Sequence, residues 1–169
     1  GTVKKIEQRV VPNGSKVLSI VIENDEQYEE MEYEVPSEPF TNEYIRESVK
    51  ECGVVGLGGA CFPTHVKLAP KDENAIDYII VNGAECEPYI TSDYRRLVEN
   101  PKEVIEGLKI ILQLFDNAKG VIAIENNKPE AIKKMKELVK DEPRIEVCEL
   151  LTKYPQGGER TLIYAVTGR

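Results

Sequence analysis

Tyr78-Ile-Ile-Val-Asn-Gly-Ala-Glu-Cys-Glu-Pro-Tyr-Ile-Thr-Ser-Asp93 is the stretch on which the fold turns. Tyr78 to Val81 is a short apolar run rich in β-branched residues. Such a run reads as a strand buried on both faces, the kind found in parallel sheets. Asn82 and Gly83 end it. In open α/β sheets ligands sit beyond the carboxyl ends of the strands, so Glu85 and Glu87 are carried to the place where a ligand would lie. They are two residues apart and, in extended backbone, face the same way. In a dry site two such carboxylates push at least one pKa upward; in a wet one they are an ordinary solvated acidic loop.

Downstream, strand and helix patterns alternate. A helix is expected over 101–115, with Pro101 in its first turn and an apolar stripe of Val104, Ile105, Leu108, Ile111, Leu112 and Phe115. Gly120-Val-Ile-Ala-Ile124 reads as the next strand. Pro129 opens a helix over 129–140 with Ile132, Met135, Leu138 and Val139 on one side. Ile145 to Leu150 reads as a third strand, and Gly158 to Val166 as a last helix. This alternation predicts an α/β fold with a Rossmann-like, doubly wound parallel sheet over residues 43–169. Ahead of the last helix, Thr152-Lys-Tyr-Pro-Gln-Gly-Gly-Glu159 places a glycine pair between strand and helix. There a helix N-terminus offers free N–H groups and its positive dipole end. Tyr154 is suited to stack on a ligand ring, and Glu159 complements the dipole. This loop is expected to be the third strand-to-helix loop on one sheet edge.

Upstream, Gly56-Leu-Gly-Gly-Ala-Cys-Phe-Pro-Thr-His-Val-Lys67 has three glycines within four positions, at Gly56, Gly58 and Gly59. Glycines let backbone N–H groups approach a ligand, and successive N–H groups make a concave anion site. Lys67 adds a point charge suited to phosphate. The spacing is neither G-x-G-x-x-G nor a P-loop, and a tight surface turn is the alternative. A helix over 43–52, N-capped by Thr41 or Asn42 and carrying Ile45 and Val49, leads into the loop. Residues 36–42 read as a linker. Residues 1–35 alternate apolar and polar around Pro12-Asn13-Gly14, as expected of a small β module of hairpin type, similar in layout to the half-barrels that carry biotin or lipoate. The Lys-Met pair that those carriers modify is missing.

The chain has 169 residues, of which 41% are hydrophobic and 31% charged, ordinary for one globular domain with a small appendage. Its 22 basic and 30 acidic residues leave a formal charge of −8, which argues against nucleic acid and against an anionic membrane surface as partners. No apolar run is long enough to span a bilayer. Cys52, Cys61, Cys86 and Cys148 show no C-x-x-C spacing and hence no zinc or iron–sulfur signature; reduced thiols are expected. The chain opens on Gly-Thr-Val rather than Met and closes on Thr-Gly-Arg, as a piece of a longer protein would.

With these segments in place the chain resembles the C subunit of the Rnf electron transport complex, itself similar to the flavin- and NADH-binding subunit of respiratory complex I. The resemblance is carried by Gly56 to Lys67, by Asn82-Gly-Ala-Glu-Cys-Glu-Pro-Tyr-Ile-Thr-Ser-Asp93 and by Tyr154-Pro-Gln-Gly-Gly-Glu159. Asn126-Asn-Lys-Pro-Glu130 also fits. It implies FMN held non-covalently, NADH stacked upon it, and electrons passed to 4Fe-4S clusters whose cysteines lie outside this sequence. Partners would be other Rnf subunits, NAD(H) and, indirectly, ferredoxin, on the cytoplasmic face of the cell membrane. By motif position, Gly56, Gly58, Gly59 and Lys67 would cradle the flavin, and Asn82 would hydrogen-bond its ring. Glu85 and Glu87 would face flavin and nicotinamide as the catalytic carboxylates, and Phe62 would stack on adenine. Tyr154, Gly157, Gly158 and Glu159 would complete the wall. No metal ligand is expected. The sequence departs from the complex I pattern at Leu57 (arginine there), Cys61 (glycine), Ala84 (aspartate) and Pro70 (a second stacking phenylalanine). Two other readings remain open: a docking module without cofactor, and a soluble NADH-flavin diaphorase.

Overall fold

The computed structural model describes residues 1–32, 40–57 and 60–169. The chain divides into two compact units, Gly1–Glu38 and Pro39–Arg169. In the first, β1 (Thr2–Val10) pairs antiparallel with β2 (Lys16–Glu23). The turn works as its sequence suggests. Gly14 takes φ +83° and donates to the Val11 carbonyl at 2.8 Å, and Asn13 Oδ1 accepts from the Ser15 N–H at 2.9 Å. Of the expected 36–42 linker, positions 36–39 lie outside the described residues. Phe40 and Thr41 are described, and Thr41 Oγ1 caps the helix that follows by accepting from the Tyr44 N–H at 3.1 Å.

The second unit is a three-stranded parallel sheet with helices on both faces. Its elements are α1 (Asn42–Glu51), α2 (Thr64–Lys67), β3 (Tyr78–Gly83), α3 (Ser92–Glu99), α4 (Pro101–Gln113), β4 (Lys119–Glu125), α5 (Pro129–Leu138), β5 (Ile145–Leu150) and α6 (Glu159–Thr167). The strand order is β3-β4-β5, with Val81 beside Ile122 and Ile122 beside Val147. Two successive parallel crossovers in one direction, a connection that is right-handed as a rule, put α3, α4 and α5 on the same face. There Ile79, Val81, Ile122, Ile124 and Val147 meet Leu97, Ile105, Leu108, Leu112, Ile132 and Met135. The alternate residues, Ile80, Ala123, Cys148 and Leu150, point the other way and are covered by Leu162 and Val166 of α6. The period of two along each strand is thus split between two helical layers, which is why the strands read as unbroken apolar runs.

Two local choices set the spacing. Pro101 and Pro129 each occupy a first helical turn, where the missing N–H costs nothing. Gly120 lets α4 lie close on β4: a Cβ there would stand 2.9 Å from Leu112 Cδ1 and 3.0 Å from Leu108 Cδ2. The sequence reading skipped α2 and α3. For α3 the signal was present, since Thr91-Ser92-Asp93 precedes Tyr94, Leu97 and Val98 at helical spacing.

Candidate functional site

The carboxyl edge of the sheet carries three strand-to-helix loops: β3 to α3, β4 to α5 and β5 to α6. The glycine segment expected to be one of them is not. It lies between α1 and α2, where Gly56 N donates to Phe62 O at 2.9 Å, Thr64 N donates to Val54 O at 3.0 Å, and Val55 pairs with Pro63. Among the described residues its hydrogen bonds stay within that local loop. Gly58 and Gly59 lie outside the described residues. Lys67 is exposed, with Nζ 5.8 Å from the centre of the Phe62 ring, and enters no ion pair among the described residues. The remaining loop at this edge is the short Asn126-Asn-Lys128 connection at the end of the central strand.

The other two motif segments are joined directly, although they are some 75 residues apart in sequence. Asn82, near the end of β3, donates from Nδ2 to Gly157 O at 2.9 Å and accepts from the Ala84 N–H at 3.2 Å. Gly157 N donates to Cys86 Sγ at 3.5 Å. Position 157 has no room for a side chain, because a Cβ would lie 2.5 Å from Ala84 O. The second glycine, Gly158, serves as the N-cap of α6 in extended backbone without any side-chain cap, so the first-turn N–H groups of α6 are open.

Glu85 and Glu87 part company. Glu85 is buried at 6% exposure, and its oxygens accept from the Asp93 N–H at 2.8 Å and the Tyr94 N–H at 3.2 Å, with Ser92 Oγ at 3.5 Å. It is the acidic plug of the α3 N-terminus, where two orphan N–H groups and the dipole both favour a carboxylate. Glu87 stays exposed, turned outward by the bend that brings Ile90 N toward Glu87 O. The same-side expectation fails because the segment after Gly83 leaves extended geometry. Asp93 is held above the usual carboxylate range, first by desolvation and then by the neighbouring charges of Glu85 and Glu87.

Around the linked loops, Tyr154 and Tyr89 stand exposed at 73% and 102%, and Tyr89 holds a left-handed φ of +67° that bulky residues rarely adopt. Glu159 is exposed in the first turn of α6, as expected for a residue complementing the helix dipole. Phe62 and Leu57 are exposed on the glycine segment.

Sequence reading missed the residues beneath the loop from β5 to α6. Glu125, at the carboxyl end of β4, is fully buried, and Oε1 accepts from the Lys153 N–H at 3.3 Å. Its neighbour Asn126 accepts through Oδ1 from both the N–H and the hydroxyl of Thr152, at 3.1 and 2.7 Å. Gln156, 2% exposed, is packed inside the same loop. A glutamate directly continuing the apolar run Val121–Ile124 was the available signal. A shallow, open cleft of about 330 Å³ beside α5 is lined by Asn126, Pro129, Ile132, Lys133, Lys136 and Glu149. No group of three or more metal-ligating side chains is found among the described residues, and no helix among them is long and apolar enough to cross a membrane.

Comparison with known proteins gives the family of the chain. Residues 49–169 match the model of a family described as the Nuo51 FMN-binding domain. The chain is 44% identical over 161 residues to the C subunit of the proton-translocating ferredoxin:NAD(+) oxidoreductase complex of Clostridium ljungdahlii, covering 94% of this chain and 35% of that protein. It is 40% identical over 176 residues to the C subunit of the Na(+)-translocating complex of Acetobacterium woodii, covering 100% and 39%. The chain therefore spans little more than a third of these relatives. Among solved structures, an NAD+-reducing NiFe-hydrogenase in its H2-reduced state shares the fold, with TM-score 0.59 and 22% identity over 76% of this chain and 25% of that one.

Proposed function

The chain belongs to the family of the Nuo51 FMN-binding domain, and from that premise we propose that it is the FMN- and NADH-binding portion of an electron-transfer subunit. The subunit would belong to an Rnf-type, ion-translocating ferredoxin:NAD oxidoreductase held peripherally on the cytoplasmic face of the membrane. The observation that carries the reading is the bonding of Asn82 to Gly157 and of Gly157 to Cys86, which unites two motif segments at the carboxyl edge of a parallel sheet.

The residues present fit a flavin nucleotide. Gly157 and Gly158 bring bare backbone to the site, the open first turn of α6 suits an anionic phosphate, and exposed Tyr154 suits a planar ring. The α3 N-terminus is closed to phosphate because Glu85 already fills it. Lys67 and Gly56 would contribute from the glycine segment, Phe62 would stack on the adenine of NADH, and exposed Glu87 would receive the nicotinamide amide. A bound flavin supplies the hydride acceptor and the one-electron steps that follow; the protein's part is position, exclusion of water and electrostatics. Electrons would leave for 4Fe-4S clusters ligated outside residues 1–169, with ferredoxin reached only through other subunits.

One observation favours the docking-module reading instead: the side chains of Asn82 and Glu85 are already committed to internal partners. A titration of FMN into the full-length protein, followed by quenching of flavin fluorescence, decides between them. Saturable one-site binding is expected, and Gly157→Ala should weaken it. Absence of binding to the full-length protein would refute the cofactor role.

A further inference from the structure

Glu125 has no role in the cofactor site as proposed, yet it is the least expected residue in the core. Among the described residues it meets no cation, although it is fully buried at the end of the central strand. One oxygen, Oε2, finds no hydrogen-bond partner among the described residues. Burying a carboxylate without a counter-charge is costly, and such a residue is retained where it does something an apolar one cannot. The one side-chain bond it makes among the described residues is to the loop from β5 to α6: Oε1 takes the N–H of Lys153 at 3.3 Å. The other unpaired buried acceptor among the described residues, Gln156 Oε1, belongs to the same loop, and Gln156 N donates to Lys153 O at 2.9 Å. The polar irregularities of the core thus converge on one turn, the one that carries Tyr154, Gly157 and Gly158.

That turn is held at both ends by residues at, or just beyond, the carboxyl ends of the other two strands. At its start Asn126 grips Thr152 and Glu125 grips Lys153. At its end Asn82 and Cys86 grip Gly157. The second pair joins the motif segments; the first sets how far the turn stands above the sheet edge. Resting on the cofactor reading of this edge, we infer that Glu125 is a positioning residue of the flavin site: as the acceptor for Lys153 N–H it fixes the Tyr154–Gly158 turn on which the cofactor lies. It acts through the turn and touches no reacting atom.

The test uses the full-length protein with Glu125→Met and Glu125→Gln. Methionine keeps the volume and removes the acceptor, and replacing an unpaired buried carboxylate with an apolar side chain is commonly neutral or stabilising. Glutamine keeps an acceptor oxygen for Lys153. Two quantities are read: FMN affinity by fluorescence titration, and backbone amide exchange of the 151–158 segment by mass spectrometry without FMN. For E125M the expected result is an unchanged or higher melting temperature. Exchange over 151–158 should be about tenfold faster, and FMN binding about tenfold or more weaker, the scale of one lost hydrogen bond that leaves a buried donor unpaired. For E125Q both should return to within about threefold of wild type, since an amide oxygen replaces the carboxylate acceptor. E125M that binds FMN and exchanges like wild type would overturn the inference. So would E125M that fails to fold, because Glu125 would then serve the core and not the turn. If the wild-type protein bound no FMN, the cofactor reading would fall on its own, and the exchange arm would still decide whether Glu125 holds the turn.

Discussion

Glu85→Ala should destabilise the protein through α3. Glu85 is 6% exposed and its two oxygens hold the N–H groups of Asp93 and Tyr94 at 2.8 and 3.2 Å. A hydrogen bond to a charged acceptor contributes about 1.5–3 kcal/mol, and losing a helix cap costs about 1 kcal/mol. Ser92 and Asp93 are themselves exposed, so water recovers part of the loss. The net cost comes to about 3 kcal/mol, a large share of a stability of about 5–15 kcal/mol. Glu85→Gln retains one acceptor and should cost about 1 kcal/mol, the size of an ordinary hydrogen bond. Urea unfolding followed by circular dichroism measures both as shifts in midpoint at constant slope. Amide exchange localises the change to Asp93 and Tyr94. If Glu85→Ala unfolds within about 0.5 kcal/mol of wild type, the range of an inconsequential surface change, the capping role is wrong and the buried carboxylate must be kept for the cofactor.

Asp93→Asn should stabilise the protein at pH 7. The Asp93 pKa is raised in the folded state by desolvation and then by Glu85 and Glu87, so ionising it costs native stability above that raised value. The gain should shrink as pH falls through the folded pKa and vanish below the unfolded value of 3.8; a pH-independent gain in urea unfolding would show that the charge is not the cause. Arg144→Met should cost about 2 kcal/mol in the same assay, because its guanidinium closes the end of α4 by donating to the carbonyls of Leu112, Phe115 and Ala118. An unchanged midpoint would mean those carbonyls are satisfied without it. Thiol labelling at pH 8 should reach exposed Cys52 and Cys61 well before Cys148, whose pKa is raised by burial and by the nearby Glu146. Equal rates would contradict the packing of β5 against α6.

The layered α/β architecture was readable from local sequence because the strands of the second unit stand out as short apolar runs and α4 and α5 carry apolar stripes of helical period. Ile145–Leu150 was placed to the residue, and Pro101 and Pro129 marked their helices since proline is free of cost only in a first turn. The segment Asn82–Asp93 and the turn at Tyr154–Glu159 were likewise visible as interruptions of those periods. What the linear chain could not show is which groups consume one another. The N–H groups of α3 claim the carboxylate of Glu85 and leave Glu87 outside; the carbonyl of Gly157 claims the amide of Asn82; a turn from β5 reaches back to a glutamate on β4. Each is a pairing between positions whose distance is set by strand order and by how closely α4 and α6 pack. The glycine segment shows the same limit from the other side. Its composition invites a ligand, but it joins α1 to α2 rather than a strand to a helix, and the hydrogen bonds it makes among the described residues are local. Periodicity is local and so is written in sequence; partnership across the sheet edge exists only once the strands have been ordered side by side.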